Sequence, residues 1–207
     1  MTPRDVVLQG AALLAVPVTA AQTDQLLAYI DLLLKWNKVY NLTAVRDADA
    51  MLTQHILDSL AVVPHIPPGR LLDVGSGPGL PGVPIAIVEP ARSVSMLDSN
   101  TKKAAFIRQA AGALKLQNVS VYSQRVEDLQ ASAPFSVVIS RAFAELRLFV
   151  QWCSHLIEPG GVLAAMKGIY PNEEIERLPA GFEVQRVVRL NVPGLEAERH
   201  LVLIGAV

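Results

Sequence analysis

A short apolar run, Leu71-Leu72-Asp73-Val74, ends abruptly in Gly75-Ser76-Gly77-Pro78-Gly79-Leu80-Pro81-Gly82, and no other stretch limits the possible folds of this chain as strongly. An apolar run of this length reads as a buried parallel strand, and glycines free the backbone to turn tightly and approach a ligand. Pro81 suits the first turn of a helix, where a missing N–H costs nothing, and the free N–H groups of a helix start attract anions. The expectation is therefore strand, glycine turn and helix from Pro81, with a ligand carboxylate or phosphate at the helix start.

Spacing narrows the ligand. A dinucleotide-binding turn requires a glycine or alanine where Leu80 stands, so that pattern fails. The series Gly75-x-Gly77-x-Gly79 behind Asp73 resembles instead the first motif of the class I methyltransferases, which bind S-adenosylmethionine. A second strand-like run, Arg92 to Asp98, puts Asp98 23 residues after Gly75. A carboxylate about 20 residues beyond such glycines is placed to accept hydrogen bonds from ribose hydroxyls. Asn100 or Thr101 can cap the next helix, in which Phe106, Ala110 and Leu114 share a face, so Asp98 is not needed there.

The chain has 207 residues, 51% of them hydrophobic. That is enough to bury about 70% of the unfolded surface in one unit with no disulfide or metal. The single cysteine, Cys153, lies in the apolar helical stretch Phe149-Val150-Gln151-Trp152-Cys153 and reads as a core thiol. Zinc-ligand spacing and membrane-length apolar runs are lacking, and the segment Val6–Val16 is broken by Gln9 and Gly10, unlike a signal peptide. A cytoplasmic monomer without a metal is expected.

In chain order, residues 1–66 read as a helical cap. Thr19 or Thr23 caps a long helix with Tyr29, Leu33, Trp36 and Tyr40 at helical spacing, and a second helix from Ala48 aligns Leu52, Ile56, Leu60 and Val63. The cluster Pro64 to Gly69 links the cap to a body over residues 67–207. There, strands near 70–75, 92–98, 119–123 and 135–140 alternate with helices near 81–89 and 101–115. A helix over Glu145–Ile157, a strand over Gly160–Met166, a short helix over Pro171–Leu178 and a closing strand pair over Phe182–Asn191 and His200–Val207 complete the pattern. Such alternation predicts an α/β fold with a mainly parallel sheet covered on both faces.

Four stretches together, Lys35 to Asp47, His55 to Ser59, Asp73 to Gly82 and Ile139-Ser140-Arg141-Ala142-Phe143, resemble the ribosomal small-subunit methyltransferase G family, also called glucose-inhibited division protein B. The resemblance runs from about residue 20 to the end. It implies a class I, Rossmann-like, seven-stranded sheet whose seventh strand is antiparallel, and methyl transfer from S-adenosyl-L-methionine to N7 of a guanosine in 16S ribosomal RNA. Carried over by position, Gly75 and Leu80 match cofactor contacts, Gly77 and Gly79 lie against the methionine part, and Val126 and Glu127 match adenine-side positions. Arg141, after the fourth strand, matches a ligand contact that could serve the cofactor carboxylate, a ribose phosphate or guanine. Lys167 is a further candidate for phosphate.

The acceptor also has a chemical signature. The run Ser140-Arg141-Ala142-Phe143 is neither the Asn/Asp-Pro-Pro-aromatic run of exocyclic-amine methyltransferases nor a site for the nucleophilic cysteine that pyrimidine-carbon methylation needs. A ring nitrogen such as N7 loses no proton, so positioning suffices and no residue is assigned as acid or base. His55, Asp58 and Ser59 carry the side-chain types of a hydrolase triad, but on one short helical patch with no oxyanion site they read as a polar network against the glycine turn. Charge does not support RNA binding overall, with 18 basic and 19 acidic residues. Locally, Lys35, Lys38 and Arg46 lie in an acid-free stretch with Trp36 and Tyr40 and are the RNA-binding candidates. A small-molecule methyltransferase and a noncatalytic, cofactor-binding assembly protein are the competing functions. The polar Asn37 to Asp47 stretch argues against an apolar lid, and the intact Gly75, Gly77 and Asp98 argue against lost catalysis.

Overall fold

The computed structural model describes residues 1–207. Helices α1 (Pro3–Leu13) and α2 (Ala20–Tyr40) open the chain, each with a capping box. At α2, Thr19 accepts from the Gln22 amide and the Gln22 side chain returns to the Thr19 backbone, satisfying two otherwise orphaned donors. The expected single helix from Ala48 is three pieces: α3 (Ala48–Met51), a π-helical turn over Leu52–Leu57, and α4 (Asp58–Leu60). Apolar spacing does not reveal a π turn, because one widened turn barely disturbs the stripe.

The body alternates as expected: β1 (Leu71–Val74), α5 (Gly82–Val88), β2 (Val94–Leu97), α6 (Thr101–Ala113), β3 (Val119–Tyr122), β4 (Phe135–Arg141), α7 (Leu146–Cys153), β5 (Ile157–Lys167), α8 (Asn172–Glu176), β6 (Phe182–Arg189) and β7 (His200–Ala206). The helix expected to reach Ile157 ends at Cys153, passes through a 3-10 turn at Ser154–Leu156, and yields Ile157 to β5, where it pairs with Phe135. The strand expected from Gly160 starts three residues earlier, at Ile157, so that Gly160 and Gly161 lie inside β5 beside a register shift between Phe135 and Val137. A Cβ on Gly161 would sit 3.0 Å from the carbonyl oxygens of Glu158 and Phe135, so only glycine lets the strands approach there.

One seven-stranded sheet runs β3-β2-β1-β4-β5-β7-β6, with β7 antiparallel between β5 and β6 and every pair from β3 to β5 parallel. Consecutive residues of β1 serve opposite faces: Leu71 joins a core that includes α1, α2, α5 and α6, whereas Leu72 and Val74 join a second core against α7. The chain reverses direction across the sheet between β1 and β4, the position where open α/β sheets bind ligands beyond the carboxyl ends of their strands. No helix is long and apolar enough to cross a membrane.

Candidate active site

Between β1 and α5 the glycine turn uses left-handed backbone at Gly75 (φ +65°), Gly77 (φ +58°) and Gly79 (φ +96°). A Cβ on Gly75 would lie 2.6 Å from Phe143 Cδ2 and one on Gly79 2.5 Å from Val83 Cγ2, but one on Gly77 would meet no protein atom within 4 Å. Gly77 therefore faces open space. The start of α5 departs from the expectation, because its anion belongs to the protein. The Gly82 amide donates to Asp73 Oδ2 at 2.8 Å, and Asp73 is wholly buried on β1. Burial pushes that carboxyl up to about 7, although the Gly82 bond and the nearby Arg141 favour its charged form. From the cap, the buried Tyr29 hydroxyl donates to the Pro78 carbonyl at 2.9 Å and so tethers α2 to the turn.

Beside the turn a cavity of about 330 Å³ is walled by Gly75, Leu97, Asp98, Val126, Glu127, Phe143 and Trp152, among others. Asp98 directly follows β2 and accepts from the Gly77 amide through Oδ2 and the Asn100 amide through Oδ1, both at 2.8 Å. Each oxygen retains a lone pair for a ligand hydroxyl. Asn100 caps α6 itself by accepting from the Lys102 and Lys103 amides. Val126 and Glu127 open a 3-10 turn, the first buried and the second half exposed. A carboxylate, an apolar wall and two aromatic rings whose centroids lie 5.7 Å apart fit a nucleoside. In sequence Trp152 is only part of an apolar helix; its place in the cavity depends on how α7 docks. Leu80 lies differently: its side chain is in the core, its amide donates to the Ser76 carbonyl, and it does not line the cavity. Cys153 is buried on α7, its thiol pushed up to about 12 by desolvation.

A second cavity, about 360 Å³, lies at the ends of β4 and β5 and is lined by Asp58, Arg141, Ala142, Met166, Lys167, Gly168 and Arg199. Arg141 Nη1 donates to the Gln54 carbonyl at 3.0 Å and to Asp58 Oδ2 at 3.2 Å. On the other oxygen, Asp58 Oδ1 accepts from Arg199 Nε at 2.9 Å. Lys167 Nζ donates to Glu174 Oε2 at 2.7 Å and to the Ala144 carbonyl at 2.9 Å, and the same Glu174 oxygen accepts from the Leu146 amide at the start of α7. The polar network expected around His55, Asp58 and Ser59 exists, but Asp58 directs it to the ends of β4 and β7 rather than to the glycine turn. Within it, His55 Nε2 lies 2.9 Å from the Thr43 hydroxyl, and Ser59 donates back to the His55 carbonyl. Arg199 carries no signal of its own in the sequence, since Glu196-Ala197-Glu198-Arg199 reads as a solvated loop until β7 is placed against β5.

The basic candidates on α2 are elsewhere. Lys35 and Lys38 are exposed, and Lys102 of α6 reaches over the Tyr40 ring at 5.9 Å from its centroid, with Trp36 and Tyr40 centroids 5.1 Å apart. Arg46 is exposed yet tethered, donating to the Asn37 carbonyl and to Asn41 Oδ1. No three His, Cys, Asp or Glu side chains stand close enough to share a metal ion.

Comparison with known proteins agrees with this geometry. By fold, the chain is similar to TrmN from Thermus thermophilus (TM-score 0.58, 18% identity, 75% of this chain and 53% of that one). It is similar also to a SAM-dependent methyltransferase from Thiobacillus denitrificans solved with S-adenosyl-L-homocysteine (TM-score 0.55, 12% identity, 73% and 91%). By sequence it is 52% identical, over 95% of both chains, to the ribosomal RNA small subunit methyltransferase G of Neisseria gonorrhoeae. Residues 22–202 match the model of the GidB family, described as rRNA small subunit methyltransferase G. With a class I methyltransferase sheet, a nucleoside-sized cavity at its switch point and this match over most of its length, the chain belongs to the rRNA small subunit methyltransferase G family, and it is an rRNA methyltransferase.

Proposed function

We propose that the enzyme transfers a methyl group from S-adenosyl-L-methionine to N7 of one guanosine in 16S ribosomal RNA, directly and without a general base. The observation that carries this is the engagement of the carboxylates at the strand ends nearest the reacting centre, Glu127 standing half exposed on the adenine side. Asp58 is held by two arginines, Glu174 by Lys167 and the Leu146 amide, and Asp98 by two backbone amides. Burial and the Arg141 charge hold the His55 imidazole down at about 4, which makes it a poor base. Such a site is ill suited to deprotonating an exocyclic amine but suits N7, whose lone pair is free and which loses no proton.

When bound, S-adenosyl-L-methionine supplies a methyl activated on a sulfonium. The chain's part is to bind and align. Gly75, Gly77 and Gly79, with the Leu80 backbone, form the turn assigned to the methionine end; Asp98 takes the ribose hydroxyls; Val126 and Glu127 take the adenine edge. Arg141 lines the second cavity and not the first, which supports a role on the RNA side. Lys167 borders the same cavity, and Lys35, Lys38 and Arg46 would meet the RNA farther out. Cap and body act as one unit, their apolar residues sharing a core, in the cytoplasm where the RNA is made.

Nucleosides from the small-subunit RNA of a strain lacking this gene test the assignment. Loss of one 7-methylguanosine, restored by the wild-type gene, is expected; loss of any other methylated nucleoside instead overturns it.

A further inference from the structure

The geometry points to Asp58 as a positioning residue: supplied by the helical cap, its carboxylate fixes the Arg141 and Arg199 guanidiniums as a clamp for one phosphate of the RNA strand beside the target base. This rests on the RNA-methylating function proposed above. Asp58 is 1% exposed, whereas Arg141 and Arg199 are 24% and 26% exposed on their side chains. The two arginines come from the end of β4 and the approach to β7, and the carboxylate they share comes from neither strand. Each guanidinium is held at two points, Arg141 by Asp58 and the Gln54 carbonyl, Arg199 by Asp58 and the Glu198 carbonyl. Arg141 Nε and Nη2 and Arg199 Nη2 make no hydrogen bond within the protein. Free donors on pinned guanidiniums are the arrangement that recognises phosphate oxygens with little further ordering.

Charge selects the ligand. Two guanidiniums and one carboxylate leave a single positive charge in the cavity, because Lys167 is paired with Glu174. One phosphodiester matches it; the cofactor carboxylate carries the same charge but is assigned to the glycine turn, which borders the other cavity. The guanine itself is a poor partner, since methylation at N7 moves the sulfonium's positive charge onto the ring and a guanidinium against that edge would oppose the change. Stability alone does not account for Asp58 either, as apolar residues fill a buried ion-pair site at least as well. Its place directly after the π turn at Leu52–Leu57 is a second sign, because widened turns concentrate at functional sites.

Asp58→Asn keeps the shape and removes the charge. The expected result is a kcat lowered by about tenfold or more, the scale of a lost charged hydrogen bond, with RNA affinity unchanged or tighter and S-adenosylmethionine affinity preserved. A purely structural role would depress all three together, and that outcome, or an unchanged kcat, overturns the proposal. A second measurement leaves Asp58 intact. RNA fragments carrying one neutral methylphosphonate at a time are bound to the wild-type protein and to Arg199→Ala. One position should weaken wild-type binding by about tenfold and leave Arg199→Ala indifferent. Equal effects at all positions, or in both proteins, overturn the clamp. Because binding is read without methyl transfer, a wild-type protein that makes no 7-methylguanosine would defeat the proposed function separately.

Discussion

At the scale of single residues, His55 and Asp98 show how neighbours set chemistry. His55 is nearly fully buried, and burial, reinforced by Arg141, depresses its pKa from 6.5 to about 4. The unfolded chain therefore binds a proton that the folded chain refuses between those values, and His55 contributes stability that is complete above pH 6.5 and lost as pH falls toward 4. The difference in melting temperature between wild type and His55→Gln should shift in favour of the variant as pH drops through that window; a difference independent of pH would show that the imidazole does not titrate on unfolding. Asp98 holds both the Gly77 and Asn100 amides. Asp98→Ala should weaken S-adenosylmethionine binding by well over tenfold, measured by calorimetry, because two amides lose their acceptor and a ribose would lose its own, at about 1–3 kcal/mol each.

At the scale of elements, the glycine turn is shaped by what packs on it. Gly77→Ala meets no protein atom, so its cost is the left-handed backbone, about 1–2 kcal/mol. If the open space beside it takes the methionine end, as proposed, cofactor affinity should fall more than stability does. Gly75→Ala should do the reverse and chiefly lower the denaturation midpoint, because its Cβ strikes Phe143. Helix α2 acts on the same turn through Tyr29. In Tyr29→Phe the Pro78 carbonyl loses its donor, with an expected loss of about 1–2 kcal/mol in denaturant unfolding and a parallel weakening of cofactor binding. Unchanged cofactor affinity would mean that the tether stabilises the cap alone.

For the whole molecule, a net charge of −1 leaves little long-range attraction for RNA, so binding depends on local cations. If Lys35 and Lys38 touch phosphates, replacing both with Ala should reduce the salt slope of RNA binding by about 1.5 and leave cofactor titrations unaltered; an unchanged slope would remove α2 from the interface. Much of this architecture was legible in the chain. Apolar runs such as Leu71–Val74 announce buried strands, Thr19 announces a helix start, and the glycine turn and Asp98 announce adjacent strand ends, because each signal is local and follows from backbone sterics, capping and burial. The π turn, the strand pairing of Ile157 and the anion at α5 were not legible, since each depends on a partner far along the chain or on a change too small to alter apolar spacing. The same division runs through the site. Residues near one another in the chain suffice for the sheet's core, the glycine turn and the strand-end positions of Asp98 and Arg141. That Asp58, Arg141 and Arg199 share one cavity follows from three-dimensional packing alone, because long-range charge pairing depends on where the cap packs and on the antiparallel insertion of β7, neither of which leaves a periodic trace in the residues involved.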